Sequence, residues 1–208
     1  MSVAPTSAKP RRSQEERRRE MRARLAAATL ESLGESGYHG ASLSDILGRA
    51  GVSRGAWAHH FSSKLDLVAL AAEEMLREST EVALNLVPAD LPDGDRLAAL
   101  LEATWTRFYQ GPRREVLFEV ALACRTDAEL RARLAPVFAG FIAAVGQAGG
   151  RVLRLKPGAV AAVADLLTLT IYMLRGMALQ EVTTGPDGRN AALRALWARL
   201  LGEWVEVG

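Results

Sequence analysis

Apolar side chains recur every three or four positions through most of this chain, the spacing that buries one face of an α-helix. Met21, Leu25, Ala28, Thr29 and Leu33 make the first stripe, and Gly37 is placed to end it. In "ASLSDILGRA", Ser42 and Asp45 have the spacing of a capping box with Asp in the place of Glu, and Leu43, Ile46, Leu47 and Ala50 line a two-turn helix. Gly51-Val52 predicts a tight turn and Ser53 a second N-cap, opening another short helix that runs from Arg54 to Phe61. From Lys64 the periodicity predicts a long helix stopped before Pro88, then a loop bracketed by Pro88, Pro92 and Gly94. Helices over about 93–110, 113–125 and 127–148 follow, with a linker at "GGRVLRLKPG" and two last helices over 159–181 and 189–205. Alternating β-branched runs are absent, so no strand is expected. The pattern predicts an all-α fold of about nine helices.

Residues 1–12, "MSVAPTSAKPRR", have no periodicity and are expected to be a disordered basic arm. The chain then divides into a unit over 13–63 and a larger helical body over 64–208. Charge follows this division. Residues 1–64 hold 11 Lys/Arg against 6 Asp/Glu, whereas residues 65–208 hold 15 against 18. A basic end on a mildly acidic body predicts a polyanionic partner for that end only. The single cysteine, Cys124, allows no internal disulfide and fits a reducing compartment. No apolar run approaches the ~20 residues of a membrane span, and charged residues stand where a signal peptide would be apolar. A soluble cytoplasmic protein with no membrane partner is expected.

Two short helices joined by a glycine turn, following a longer helix in the basic part of the chain, carry the spacing of a helix-turn-helix. Projecting 54–61 at 100° per residue puts Trp57 and Phe61 on one face, flanked by Arg54 and His60. Gly55, Ala56 and His59 occupy the opposite face, with Ala58 beside them. The aromatic face must pack inward. The other is nearly bare, so its backbone can enter a DNA major groove with His59 as the side chain that reaches a base edge. Adjacent histidines point about 100° apart and are poorly placed to share one metal, for which i, i+4 spacing is preferred. No cluster of Cys, His or carboxylates completes a metal shell, and no nucleophile with an oriented base is present. No catalytic group, metal or cofactor is expected. For His60 alone, a satisfied core histidine remains an alternative.

The stretch "GYHGASLSDILGRAGVSRGAWAHHFSSKLDL" resembles the DNA-binding domain of TetR/AcrR-type transcriptional regulators. The resemblance rests on Gly37-Tyr38, Ser42-Leu43 with Asp45-Ile46, Ala50 through Ala56, His60-Phe61 and Lys64. It implies that Ser53, Arg54, Gly55 and Ala56 open the recognition helix, that His60 and Lys64 touch phosphate, and that Ser42 caps the helix abutting the DNA backbone. Two positions depart from the family's pattern. Trp57 replaces a smaller apolar residue, and Ala58 replaces a tyrosine that often contacts phosphate.

The resemblance also implies a small-molecule cavity in the body and a homodimer through the last two helices. Trp105, Phe108, Tyr109, Phe118, Leu122, Phe141 and Tyr172 are the apolar candidates for the cavity, with Glu119 and Arg175 as polar ones. Plain core packing is the competing reading for each. The dimer stripe is expected at Leu167, Ile171, Leu174 and Ala178, and at Leu193, Leu196, Trp197, Leu200, Leu201 and Trp204. The chain is thus read as a ligand-responsive regulator, expected to be a repressor, binding a palindromic double-stranded operator as a dimer. The alternatives are an interaction protein whose helix-turn-helix is only structural, and an all-α enzyme.

Overall fold

The computed structural model describes residues 14–85, 95–186 and 188–208. The arm expected over 1–12 and the loop at Pro88, Pro92 and Gly94 lie outside them. Among the described residues there are nine helices and two short strands. The helices are α1 (Gln14–Gly40), α2 (Leu43–Ala50), α3 (Arg54–Ala58), α4 (Lys64–Leu84), α5 (Arg96–Phe108), α6 (Pro112–Thr126), α7 (Ala128–Val152), α8 (Val163–Thr184) and α9 (Gly188–Gly202). The strands are β1 (Leu153–Leu155) and β2 (Val205–Val207). No helix among the described residues is long and apolar enough to cross a membrane.

Local chemistry accounts for most boundaries. The Asp95 side chain accepts from the Ala98 N–H to start α5, and Asp127 accepts from Leu130 to start α7. Gly111, with φ 69°, and Pro112 at the first helical position separate α5 from α6. α1 breaks at Gly37, whose φ of 68° only glycine adopts freely. A side chain there would also strike Glu119, because an added Cβ would sit 2.9 Å from its Oε2.

Three apolar clusters hold the elements together. Leu25, Ile46, Trp57, Phe61, Leu67 and Leu70 make the first, binding α1, α2 and α3 to the start of α4. The second joins Leu33 of α1 to Val68, Ala72 and Met75 of α4, Val120 of α6, Leu134 of α7 and Leu174 of α8. The third, around Leu97, Val152, Leu166, Leu201 and Val205, closes the far end. α4 belongs to the first two at once, with Leu67 facing the N-terminal unit and Val68 facing the body. One helix therefore couples them.

The sequence "GGRVLRLKPG" is not a linker. α7 runs through Gly149 and Gly150 to Val152, and α8 crosses it so closely that a Cβ on Gly149 would sit 1.9 Å from Leu167 Cδ1. Leu153 to Leu155 then pair antiparallel with Val205 to Val207, so the expectations of no strand and of a helix reaching 205 are corrected. Strands of three residues are too short to show alternation, and their partners lie about fifty positions apart. Lys156 adds a bond from Nζ to the Gly202 carbonyl at the end of α9.

The polarity of α9 is inverted. It turns Asn190, Arg194, Ala198 and Leu201 inward and exposes Leu193, Leu196 and Leu200. Arg194 is stacked 4.3 Å over the Trp105 ring and forked to Glu102 at 2.7 and 3.0 Å, which makes its burial tolerable. On α8 the expected stripe is corrected as well. Ile171, Leu174 and Ala178 pack within the chain, whereas Leu169, Tyr172, Leu179 and Val182 are exposed.

A candidate nucleic-acid interface and an internal cavity

The turn between α2 and α3 is built from short-range bonds. Ser42, in extended conformation, caps α2 by accepting from the Asp45 N–H at 3.1 Å. Asp45 also accepts from the Ser32 hydroxyl at 2.7 Å and pairs with Arg49, which reaches Glu35 on α1 at 2.7 Å. These contacts fix α2 against α1 and draw the Asp45 carboxyl below the usual range, the Ser32 hydroxyl being the largest cause. α2 ends in a Schellman arrangement. Gly51, at φ 60°, donates to the Gly48 carbonyl, and Val52 donates to Leu47. Ser53 then caps α3 by accepting from Ala56 at 3.2 Å.

Trp57 and Phe61 face the core, while Arg54, Gly55, Ala56, Ala58, His59 and His60 are exposed. The helix is shorter than expected, ending at Ala58. His60 and Phe61 both donate to the Trp57 carbonyl, tightening the last turn and keeping both imidazoles outside. The Trp57 indole N–H is buried and has no partner among the described residues, a consequence of the large ring at this position.

Two features differ from what the sequence suggests. Lys64 is turned inward. Its Nζ donates to the carbonyls of Tyr38 and Ala41 at 2.7 and 3.0 Å and lies 4.7 Å from the Tyr38 ring centroid. Burial lowers its pKa, and the side chain ties α4 to the end of α1 rather than standing free at the surface. Conversely, Arg17, Arg18, Arg19 and Arg22 of α1 share an open depression with His60, and Arg22 lies over the Phe61 ring at 5.5 Å. Sequence reasoning missed these arginines. Their signal, the run "EERRRE", has the composition of an ordinary solvated helix face.

Besides Lys64, carboxylates of the body hold the N-terminal unit at Tyr38 and at Ser62 and Ser63. The Tyr38 N–H donates to Glu119 on α6 at 2.7 Å, and the Tyr38 hydroxyl donates to Asp127 at 2.9 Å. Burial first, then that bond, push the phenol up to about 12. At the start of α4, Asp66 accepts from the Ser62 hydroxyl and from the N–H groups of Ser62 and Ser63, at 2.7–3.0 Å. Arg133 of α7 reaches the other oxygen of Asp66 at 2.8 Å and Glu73 at 3.3 Å. The Ser62 hydroxyl is the chief cause holding this carboxyl near 2, against burial, with the Ser62 N–H and Arg133 adding to it.

Inside the body lies a cavity of about 390 Å³. Leu97, Leu101, Thr104 and Phe108 of α5 line one wall, Phe141 and Val145 of α7 another, and Leu167, Thr170 and Ile171 of α8 a third. Of the expected ligand residues, Phe108, Tyr109 and Phe141 line this space, and Arg175 lines a small annex that shares those three rings. The others lie elsewhere. Trp105 is buried beneath Arg194, Phe118 packs in the core, Glu119 sits at the junction with Tyr38, and Leu122 and Tyr172 are exposed. Among the described residues no group of three or more His, Cys, Asp or Glu is placed to hold a metal.

Comparison with known proteins agrees with this geometry. The sequence profile of "Bacterial regulatory proteins, tetR family" matches residues 25–71, from the core stripe of α1 to the shared face of α4. An uncharacterised HTH-type transcriptional regulator of Mycobacterium tuberculosis is 38% identical over 149 residues, covering 71% of this chain and 73% of that protein. The HTH-type transcriptional regulator CymR of Pseudomonas putida is 34% identical over 121 residues, 58% of this chain and 59% of its own. In fold, the chain is similar to the transcriptional regulator FadR of Bacillus subtilis, solved in complex with stearoyl-CoA, with a TM-score of 0.59, 17% identity and coverage of 86% and 96%. The tetR-family profile across the helix-turn-helix, together with a transcriptional regulator 38% identical over 71% of the chain, makes this chain a member of the TetR family of DNA-binding transcriptional regulators.

Proposed function

We propose that this regulator is a ligand-released repressor that binds a palindromic operator as a homodimer in the cytoplasm. The observation that carries the reading is α3. Its exposed side is Gly55, Ala56 and Ala58 with His59, so its backbone can lie deep in a major groove while one imidazole reads a base edge. Arg54 at its start and the arginines of α1 beside His60 suit phosphates on either side. Ser42 and Ser53 are engaged as caps and serve by fixing the two helices, with their exposed hydroxyls available to the DNA backbone. Lys64 acts from within, holding α4 against α1.

The inverted α9 supports the dimer. Leu193, Leu196 and Leu200, with Leu169, Tyr172 and Leu179 of α8, form exposed apolar faces that a second copy would bury. The two reading heads would then sit ~34–36 Å apart, or a multiple of it. The cavity supports release. It touches Phe141 of α7, the helix whose Arg133 holds the cap of α4. A ligand that fits the cavity better in one arrangement of α7 shifts the spacing of the heads by its difference in affinity for the two.

Selection of bound duplexes from a random pool tests the operator. The reading expects an enriched inverted repeat with half-site centres about one helical turn apart, or a multiple. Enrichment without a repeat, or none at all, would contradict it. In the second outcome the helix-turn-helix is structural only.

A further inference from the structure

The cavity and its annex are walled by charge of one sign. Arg107 lines the main chamber, and Arg113 and Arg175 line the annex. Among the described residues, no Asp or Glu lines either space. Two of the three cations have other surroundings, since Arg107 is exposed and Arg113 is paired with Glu78 at 2.5 Å. Arg175 is different. Its Nε is buried and has no hydrogen-bond partner among the described residues. Native proteins rarely leave a charged donor so placed without an acceptor.

The surroundings say what acceptor fits. Tyr109, only 3% exposed, has its phenol pKa pushed up by burial. The Arg175 guanidinium opposes this by its charge and by a hydrogen bond to the hydroxyl, so among the described residues the unmet donor of Arg175 is Nε alone. The annex measures about 30 Å³, room for one small polar group, and is bordered by Phe108, Tyr109 and Phe141, whose rings also line the apolar chamber. Building on the effector reading above, we propose that the effector is an amphiphilic carboxylate. Its head accepts from Arg175 Nε and the Tyr109 hydroxyl, and a medium-chain or single-ring body fills the chamber. At about 390 Å³ the chamber sits at the small end of ligand pockets, which run from ~300 to ~1,000 Å³. A guanidinium discriminates sharply between a carboxylate and its neutral amide, because the charged acceptor roughly doubles the strength of the bond.

Calorimetric titration of the full-length protein with decanoate and 4-phenylbutanoate, each beside its primary amide, tests this. At least one acid should bind about tenfold or more tighter than its amide, a difference of ~1.4 kcal/mol. Arg175→Met should abolish that preference by weakening the acids far more than the amides, and Arg175→Lys should keep part of it. An acid preference that survives in Arg175→Met, or amides that bind native protein as tightly as the acids, would overturn the carboxylate assignment and leave the cavity an effector site. No binding by any of the four probes to natively folded protein would remove the cavity reading itself, and this inference with it.

Discussion

Lys64 and His59 show how differently single residues at one surface are used. Lys64 satisfies two carbonyls 26 and 23 residues upstream, so its removal should be felt in stability before DNA binding. Lys64→Met is expected to lower unfolding free energy by ~1 kcal/mol, read from urea denaturation, since two partly buried carbonyls would lose their donor. An unchanged midpoint would mean that the ammonium is free in solution. His59 is exposed at the end of α3, and its alanine variant should relax preference at one base position per half-site, by ~1–3 kcal/mol. If operator and random duplex weaken equally, the histidine positions the helix instead of reading a base. The caps at Ser42 and Ser53 were legible in the sequence because donor and acceptor lie three residues apart. The inward turn of Lys64 was not, because nothing local marks Tyr38 and Ala41 as its partners.

At the scale of elements, α4 and α9 carry the consequences. The cap of α4 depends on ionised Asp66, whose pKa of about 2 lies below the unfolded value of ~3.9. The folded chain therefore binds fewer protons in that interval. The stabilisation is present above about pH 4 and is lost as pH falls toward 2. With partial solvent screening it should amount to ~1 kcal/mol. Acid titration of native protein and Asp66→Asn should differ in this window, the variant being less stable at neutral pH and flatter below pH ~4. Parallel curves would show that the cap contributes nothing. For α9, Leu196→Glu with Leu200→Glu should yield monomers in sedimentation without loss of helix content, because both side chains are exposed within the chain, at 40% and 47%. An intact dimer would place the interface elsewhere. The apolar spacing of α9 was legible, but its direction was not. Leu193, Leu196 and Leu200 repeat as regularly as a core face, and only the Arg194–Glu102 fork and the Trp105 ring explain why the polar side turned inward. The pairing of β1 with β2 was equally hidden, since three residues have no period to read.

For the molecule as a whole, the helix order and the position of the helix-turn-helix followed from apolar spacing, whereas the site was only half legible. Phe108, Tyr109, Phe141 and Arg175 converge, but Leu122 and Tyr172 share the helical stretches around them and face out, a distinction of rotation that composition does not encode. The arginines of α1 extend the basic surface beyond α3. Replacing Arg17 and Arg18 with glutamine should therefore flatten the salt dependence of binding, by up to ~0.9 in log–log slope for each phosphate no longer neutralised. An unaltered slope would exclude them from the interface. The central claim is that α3 reads sequence. It is tested most directly by fluorescence anisotropy of native protein at one fixed salt concentration, on the selected operator and on a scrambled duplex of equal length. Affinity for the operator should exceed that for the scrambled DNA by ~10³-fold or more. Equal affinities for the two duplexes would contradict the account.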